Sequence, residues 1–345
     1  MGGWIRRGVA TGLVTGAVLG AGFCTAAAAQ AQESYQSMCD ASAAASLGGG
    51  HFVAADDESD ILKIYRRGAS QPVGELRLAR YLNSIDRKTT VAIAGESDIE
   101  GAAVVGDRIY WISSHGRKRD GSMDPQRWRF FATDIDRRAP TPSLMPAPGK
   151  PYKSLLVDMA ADPRLAFLKI AAELRPEVLG GLSIEGLAAT PEGGMLIGFR
   201  NPVIDGKAVV LPMLNPAEMV ERGAKPKFDE PIYLDLGGRG IRSLERVGND
   251  YLIAAGPYGN AASSKAMPAF AMFRWSGKVQ QAPELVRSLD VGSFRTEAFF
   301  YDADAKDLYL LSDDGNEQIN GKDCKDRKRP PEEKFFRGRA MGVPK

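Results

Sequence analysis

Histidine is almost missing from this 345-residue chain, which carries only His51 and His115. That excludes metal sites built from several histidines, and a serine triad could draw on only one of these two. No His-Glu-x-x-His or Gly-rich phosphate loop occurs, and Gly181-Leu182-Ser183-Ile184-Glu185 fails the spacing of a nucleophile elbow. Net charge is also scarce: Lys and Arg number 45 against 43 Asp and Glu. The first 31 residues hold Arg6 and Arg7 and no acid, so the remainder is formally neutral. A neutral chain has no global field to draw it to nucleic acid or to a membrane surface. Local basic runs such as Arg117-Lys118-Arg119 read as solvated loops. Long apolar runs are confined to Val9–Phe23, so no later segment approaches spanning length.

That single run has the layout of a cleavable secretory signal peptide. Arg6 and Arg7 precede it, and Ala26-Ala27-Ala28-Ala29-Gln30-Ala31 supplies small residues at its exit. The reading is a leader over 1–31 and a single mature domain over 32–345, periplasmic or secreted, monomeric and not inserted in a membrane. Of three cysteines, Cys39 and Cys324 lie in the mature part, one near each end. In an oxidising compartment they are a disulfide candidate.

What the chain has in place of these features is a repeat. Ser97-Asp98-Ile99-Glu100-Gly101 leads to Ile109-Tyr110-Trp111-Ile112, and Ser183-Ile184-Glu185-Gly186 leads to Met195-Leu196-Ile197. Arg242-Ser243-Leu244-Glu245 leads to Tyr251-Leu252-Ile253, and Arg295-Thr296-Glu297-Ala298 leads to Leu308-Tyr309-Leu310. A degenerate copy starts at Asp40-Ala41-Ser42 and returns through His51-Phe52-Val53. Turn residues such as Gly106-Asp107 and Gly248-Asn249-Asp250 make each copy a hairpin. More polar, alternating strands fall between the hairpins, as at Ile61–Tyr65, Ala208–Leu211 and Phe270–Trp275. Two inner and two outer strands repeated radially predict an all-β β-propeller of five blades, or six if one has degenerated. A helical insertion is predicted over about 160–175.

Asp98-Ile99-Glu100-Gly101-Ala102, Trp111-Ile112-Ser113-Ser114-His115-Gly116 and Ser183-Ile184-Glu185-Gly186-Leu187 resemble a secreted bacterial family, domain of unknown function 3616. The resemblance spans roughly residues 38 to 340. It implies a distant similarity to phytase-like and esterase-like propellers, and it brings no assigned activity.

Equivalent positions in a propeller meet at one end of the channel. Glu100, Glu185, Glu245, Glu297 and Asp313 are therefore the candidate metal ligands, with calcium the cation their oxygens suit. Arg200, Asn201, Arg242 and Arg295 are the candidates for holding a small anionic ligand, and Arg239 lies close by in sequence. Glu100 and His115 are the candidate proton-transfer residues. Two functions follow: a metal-assisted phosphoester or carboxylester hydrolase, or a propeller that binds a ligand or a periplasmic partner without turnover. Asp302-Ala303-Asp304-Ala305-Lys306-Asp307 lacks the central Gly and terminal Glu of a calcium loop and reads as a turn.

Overall fold

In the computed structural model, which describes residues 1–4, 32–82, 96–259, 268–289 and 294–344, the repeats become five antiparallel four-stranded sheets. Blade 1 runs Ala43–Gly48, His51–Ala55, Ile61–Arg66 and Gly74–Arg77 from the inside outward. Blade 2 runs Ile99–Val105, Arg108–Ser113, Phe130–Asp136 and Ser143–Pro146. Blade 3 runs Ser183–Ala189, Met195–Ile204, Lys207–Met213 and Ile232–Leu234. Blade 4 runs Gly240–Val247, Asp250–Gly256, Ala271–Trp275 and Glu284–Ser288. The innermost strands neighbour one another in chain order, and that of blade 5 neighbours that of blade 1. The ring is closed, with five blades.

Blade 5 is assembled from both ends of the chain. Its first three strands are Thr296–Asp302, Asp307–Ser312 and Phe335–Gly342, and its outermost is Gln32–Gln36. Gln32 pairs with Arg339 and Gln36 with Phe335, so the N-terminal strand covers an edge that would otherwise be open. This strand was not anticipated, because a single edge strand carries no repeat partner. Cys39 follows it directly and is bonded to Cys324, 285 residues away, with the two Cα atoms 5.8 Å apart. The predicted clamp is present, and it fits a compartment that oxidises thiols.

The core is divided into five, one between each pair of blades. Inner strands are apolar on both faces because each face meets a neighbouring blade, and Ile112, Ile197, Ile253 and Leu310 are fully buried. Such packing explains the recurrent Glu-Gly pair. A Cβ on Gly186 would lie 2.8 Å from Cγ2 of Ile241 in blade 4, and one on Gly101 would lie 3.0 Å from Cβ of Leu187 in blade 3.

Between blades 2 and 3 the insertion is two short helices, Leu155–Ala161 and Ala166–Ala171, where one helix was expected. Pro163 interrupts them, and the Asp162 carboxylate caps the intervening turn by accepting from the Arg164 N–H at 3.0 Å. A further short helix, Pro216–Arg222, ends at Gly223 in the left-handed conformation. Among the described residues no helix is long and apolar enough to cross a membrane. The leader expected at 1–31 lies outside the described residues apart from positions 1–4.

Candidate functional site at the channel mouth

The inner strands of blades 2 to 5 each carry one extra residue near their start. In blade 2 Ile99 pairs with Ser113 and Gly101 with Ile112, which leaves Glu100 unpaired in a bulge. Register shifts of the same kind single out Arg242 between Ile241 and Ser243, and Glu297 between Thr296 and Ala298. Blade 3 has its shifts around Glu185 and, on the facing strand, around Arg200. A bulge re-aims its side chain out of the sheet's alternation, and here it turns charged groups away from the packed faces. In blade 1 Ser42 holds the corresponding place, donating its hydroxyl to the Ile99 carbonyl at 2.6 Å.

The result is a ring contributed by five blades: Ser42, Glu100, Glu185, Arg242 and Glu297. One carboxylate oxygen from each of Glu100, Glu185 and Glu297 lies within 4.8 Å of the others. Glu185 is 3% exposed and takes the Arg200 guanidinium at 2.8 Å and Nε of Arg242 at 3.1 Å. Arg242 also pairs with Glu297, so a single buried guanidinium bridges two acids. Glu100 makes no ion pair with any described residue. Burial, then Asp98, Glu185, Asp57 and Glu297 around it, raise its pKa well above the usual carboxylate range. Burial also raises Glu297, against the lowering influence of Arg242.

More acids stand behind the ring. Asp40 is raised well above its ordinary value by burial and by Asp313, Asp57, Glu297 and Glu100, and its Oδ1 has no hydrogen-bond partner. Asp57 is raised by burial and by Asp98, Asp56 and Glu58. Asp98 is partly compensated by Arg127 at 3.0 Å, yet burial still raises it. This end of the channel holds more carboxylates than cations.

The structure separates the expected site residues into three groups. Glu100, Glu185, Glu297, Arg200 and Arg242 come together, with Asp313 close enough to raise Asp40 while its own carboxylate accepts from the Gly315 N–H at 2.8 Å. Glu245 does not join them. It lies three residues beyond the ring position, where it takes a backbone hydrogen bond from Tyr301 of blade 5, and burial lifts it to about 8. The correct match is Ile241-Arg242-Ser243 with Ile184-Glu185-Gly186: apolar, charged, small. A search restricted to acids passes over it. Asn201 is fully buried and donates to the Pro176 and Val178 carbonyls, so it holds the insertion rather than facing the ring. Arg295 is exposed, and Arg239 is spent on the Ala269 and Leu236 carbonyls. His115 lines a separate cavity against the helical insertion. Asp302 caps its own turn by accepting from the Asp304 and Ala305 N–H groups, as a turn residue does.

Residues 148–304 match the family described as Protein of unknown function (DUF3616). No curated protein sequence matches the chain. Among solved structures the chain is similar to glutaminyl cyclase of Myxococcus xanthus, with a TM-score of 0.43, 11% identity, and 90% of this chain and 95% of that chain covered. It is similar to Trypanosoma rangeli sialidase in complex with 2,3-difluorosialic acid (TM-score 0.44, 13% identity, 88% and 53% covered). It is also similar to the beta-propeller domain of Myceliophteria thermophila Cps50 (Swd1), with a TM-score of 0.37, 8% identity, and 90% and 98% covered. The five-bladed architecture itself rests on the sheet order and on the closed ring of inner strands.

Proposed function

We propose that this chain is an exported ligand-binding propeller whose acidic channel mouth takes a hard divalent cation of the calcium class. One observation carries the reading: of three clustered ring carboxylates, Glu185 and Glu297 share the bridging Arg242, and Glu100 makes no ion pair with any described residue. An ion held at about 2.3–2.6 Å by several oxygens keeps those oxygens no more than about 5 Å apart. The 4.8 Å limit on the three carboxylates fits that spacing. An all-carboxylate donor set suits calcium or magnesium better than a softer metal. Asp40, whose Oδ1 is unpartnered, stands among the same charges and adds a further oxygen. Export is supported by the leader pattern at the N-terminus and by the Cys39–Cys324 bond. Calcium titration followed by thermal unfolding tests the reading. Native-state binding raises the melting temperature by mass action, and a melting curve unmoved up to millimolar calcium contradicts it.

A second reading, a metal-assisted phosphoester or carboxylester hydrolase, is favoured by Glu100 itself. A carboxyl whose pKa is raised by burial and by the acids around it holds its proton more tightly than an ordinary one and can donate it to a leaving group. Arg200 and Arg242, both paired with the neighbouring Glu185, are the cations available to hold an anion. Turnover of p-nitrophenyl phosphate or p-nitrophenyl acetate that is lost in Glu100→Gln would support this reading. Calcium binding without turnover supports the binder alone.

A further inference from the structure

The helical insertion builds a second concavity, away from the acid ring. A cavity of about 320 Å³ lies between the loop after blade 2's second strand and the two short helices. That volume is at the lower end of small-molecule sites, about 300–1,000 Å³. Its walls are mostly apolar: Met123, Trp128, Leu156, Val157, Ala160 and Ala172. Val157 and Met123 are 57% and 54% exposed at its edge.

Of the four charged side chains lining the cavity, three are paired and one is not. Glu173 is paired with Arg117, and Asp124 with Lys118 at 3.1 Å. Lys169, on the second helix, has no anion within ion-pairing distance among the described residues. The cavity therefore has an apolar body and one uncompensated cation. His115 adds a neutral wall. It is 1% exposed, and its Nδ1 lies 2.7 Å from the Ser113 carbonyl, which can only accept. Nδ1 thus carries the proton, and Nε2 is a lone-pair acceptor without a partner.

We propose that this cavity binds a small amphiphilic carboxylate, with its apolar body against Trp128, Leu156 and Val157 and its carboxylate at Lys169. The site is separate from the acid ring, with which it shares no lining residue.

The two histidines supply a local readout, since His115 lines the cavity and His51 lies in blade 1. Purified protein is titrated with decanoate, and the histidine side-chain signals are followed by NMR. Decanoate should shift His115 saturably and leave His51 unmoved. Lys169→Met, a change at an exposed position, should weaken decanoate about fivefold, as expected for one rim ion pair, and leave decanol binding unchanged. Ala160→Trp should remove both by filling the cavity. The proposal is overturned if decanoate moves neither histidine or moves both alike, or if Lys169→Met binds decanoate as tightly as the parent.

Discussion

The seam between blades 5 and 1 and the seam between blades 2 and 3 solve different problems. At the first, the chain runs on from blade 5's outermost strand, Gln32–Gln36, into blade 1, and the closure that no peptide makes lies within blade 5, where that strand pairs with Phe335–Gly342. Tyr35, Phe52, Tyr65, Phe300, Tyr309 and Phe336 pack there, with Phe52 and Phe300 stacked at 5.4 Å and Tyr35 and Phe336 at 5.2 Å. Arg67 of blade 1 reaches Asp302 at 2.7 Å and Asp307 at 2.9 Å in blade 5. The Cys39–Cys324 bond closes the same region. At the second seam the chain passes directly between blades, and the core is mainly aliphatic, with the insertion helices as an added flap. That core is the larger of the two, and the insertion adds a cavity at its edge. Aromatic rings, ion pairs and a disulfide hold the closure region, and an aliphatic core enlarged by the insertion holds the other seam.

This contrast can be broken by mutation. Phe52→Ala should cost the most, about 3–5 kcal/mol, because it opens a hole among four aromatic neighbours. Urea unfolding would measure it, and a loss under 1 kcal/mol would mean the seam is not what closes the ring. Replacing Cys39 and Cys324 together by Ser should lower stability by about 2–4 kcal/mol, since the bond restricts a very long loop in the unfolded chain. Reduction of the parent protein should reproduce the loss. An unchanged midpoint would show that the N-terminal strand and the aromatic packing close the ring unaided.

Much of this was legible in the sequence, for reasons that also explain the gaps. Glu100 and Glu185 were found because each precedes a glycine that the adjoining blade leaves no room to change. Arg242 was missed at its own ring position because chemistry varies there while geometry does not: the bulge specifies a side chain's direction, not its charge. His115 shares a loop with Ser114, which does bond to Asp98, but its ring turns toward the insertion. One residue's position does not fix the direction of the next when φ is positive, and His115 has φ +58°. The Cys39–Cys324 pairing could be inferred because circular order makes the two ends neighbours. The Gln32–Gln36 strand could not, since its partner lies at the opposite end of the chain and edge pairing leaves little pattern.

Two smaller effects sharpen the comparison. Glu245 keeps its proton up to about pH 8 in the folded protein, against an ordinary value of 4.5. Between those two pH values the folded state holds the extra proton, so stability falls as pH rises through that window. Glu245→Gln should therefore raise the melting temperature at pH 8, by an amount near about 1 kcal/mol after solvent screening, and leave it unchanged at pH 4.5. An equal gain at both pH values would place the effect in packing. Ile170→Ser, on the exposed face of the insertion, should change stability by no more than about 0.5 kcal/mol. A larger loss would mean that the 2/3 flap bears load as the closure seam does.

The acid ring is the feature the account depends on most, and proton competition probes it directly. Glu100, Asp40 and Asp57 hold their protons more tightly than ordinary carboxylates, so a cation must displace those protons to bind. The measurement is the melting temperature of the parent protein and of Glu100→Gln, with and without millimolar calcium, at pH 5 and pH 8. The account predicts that calcium raises the parent's melting temperature more at pH 8 than at pH 5, and that most of this rise is absent in Glu100→Gln. Identical curves with and without calcium at pH 8 would contradict it, and would leave Arg200 and Arg242 as the cations the ring requires.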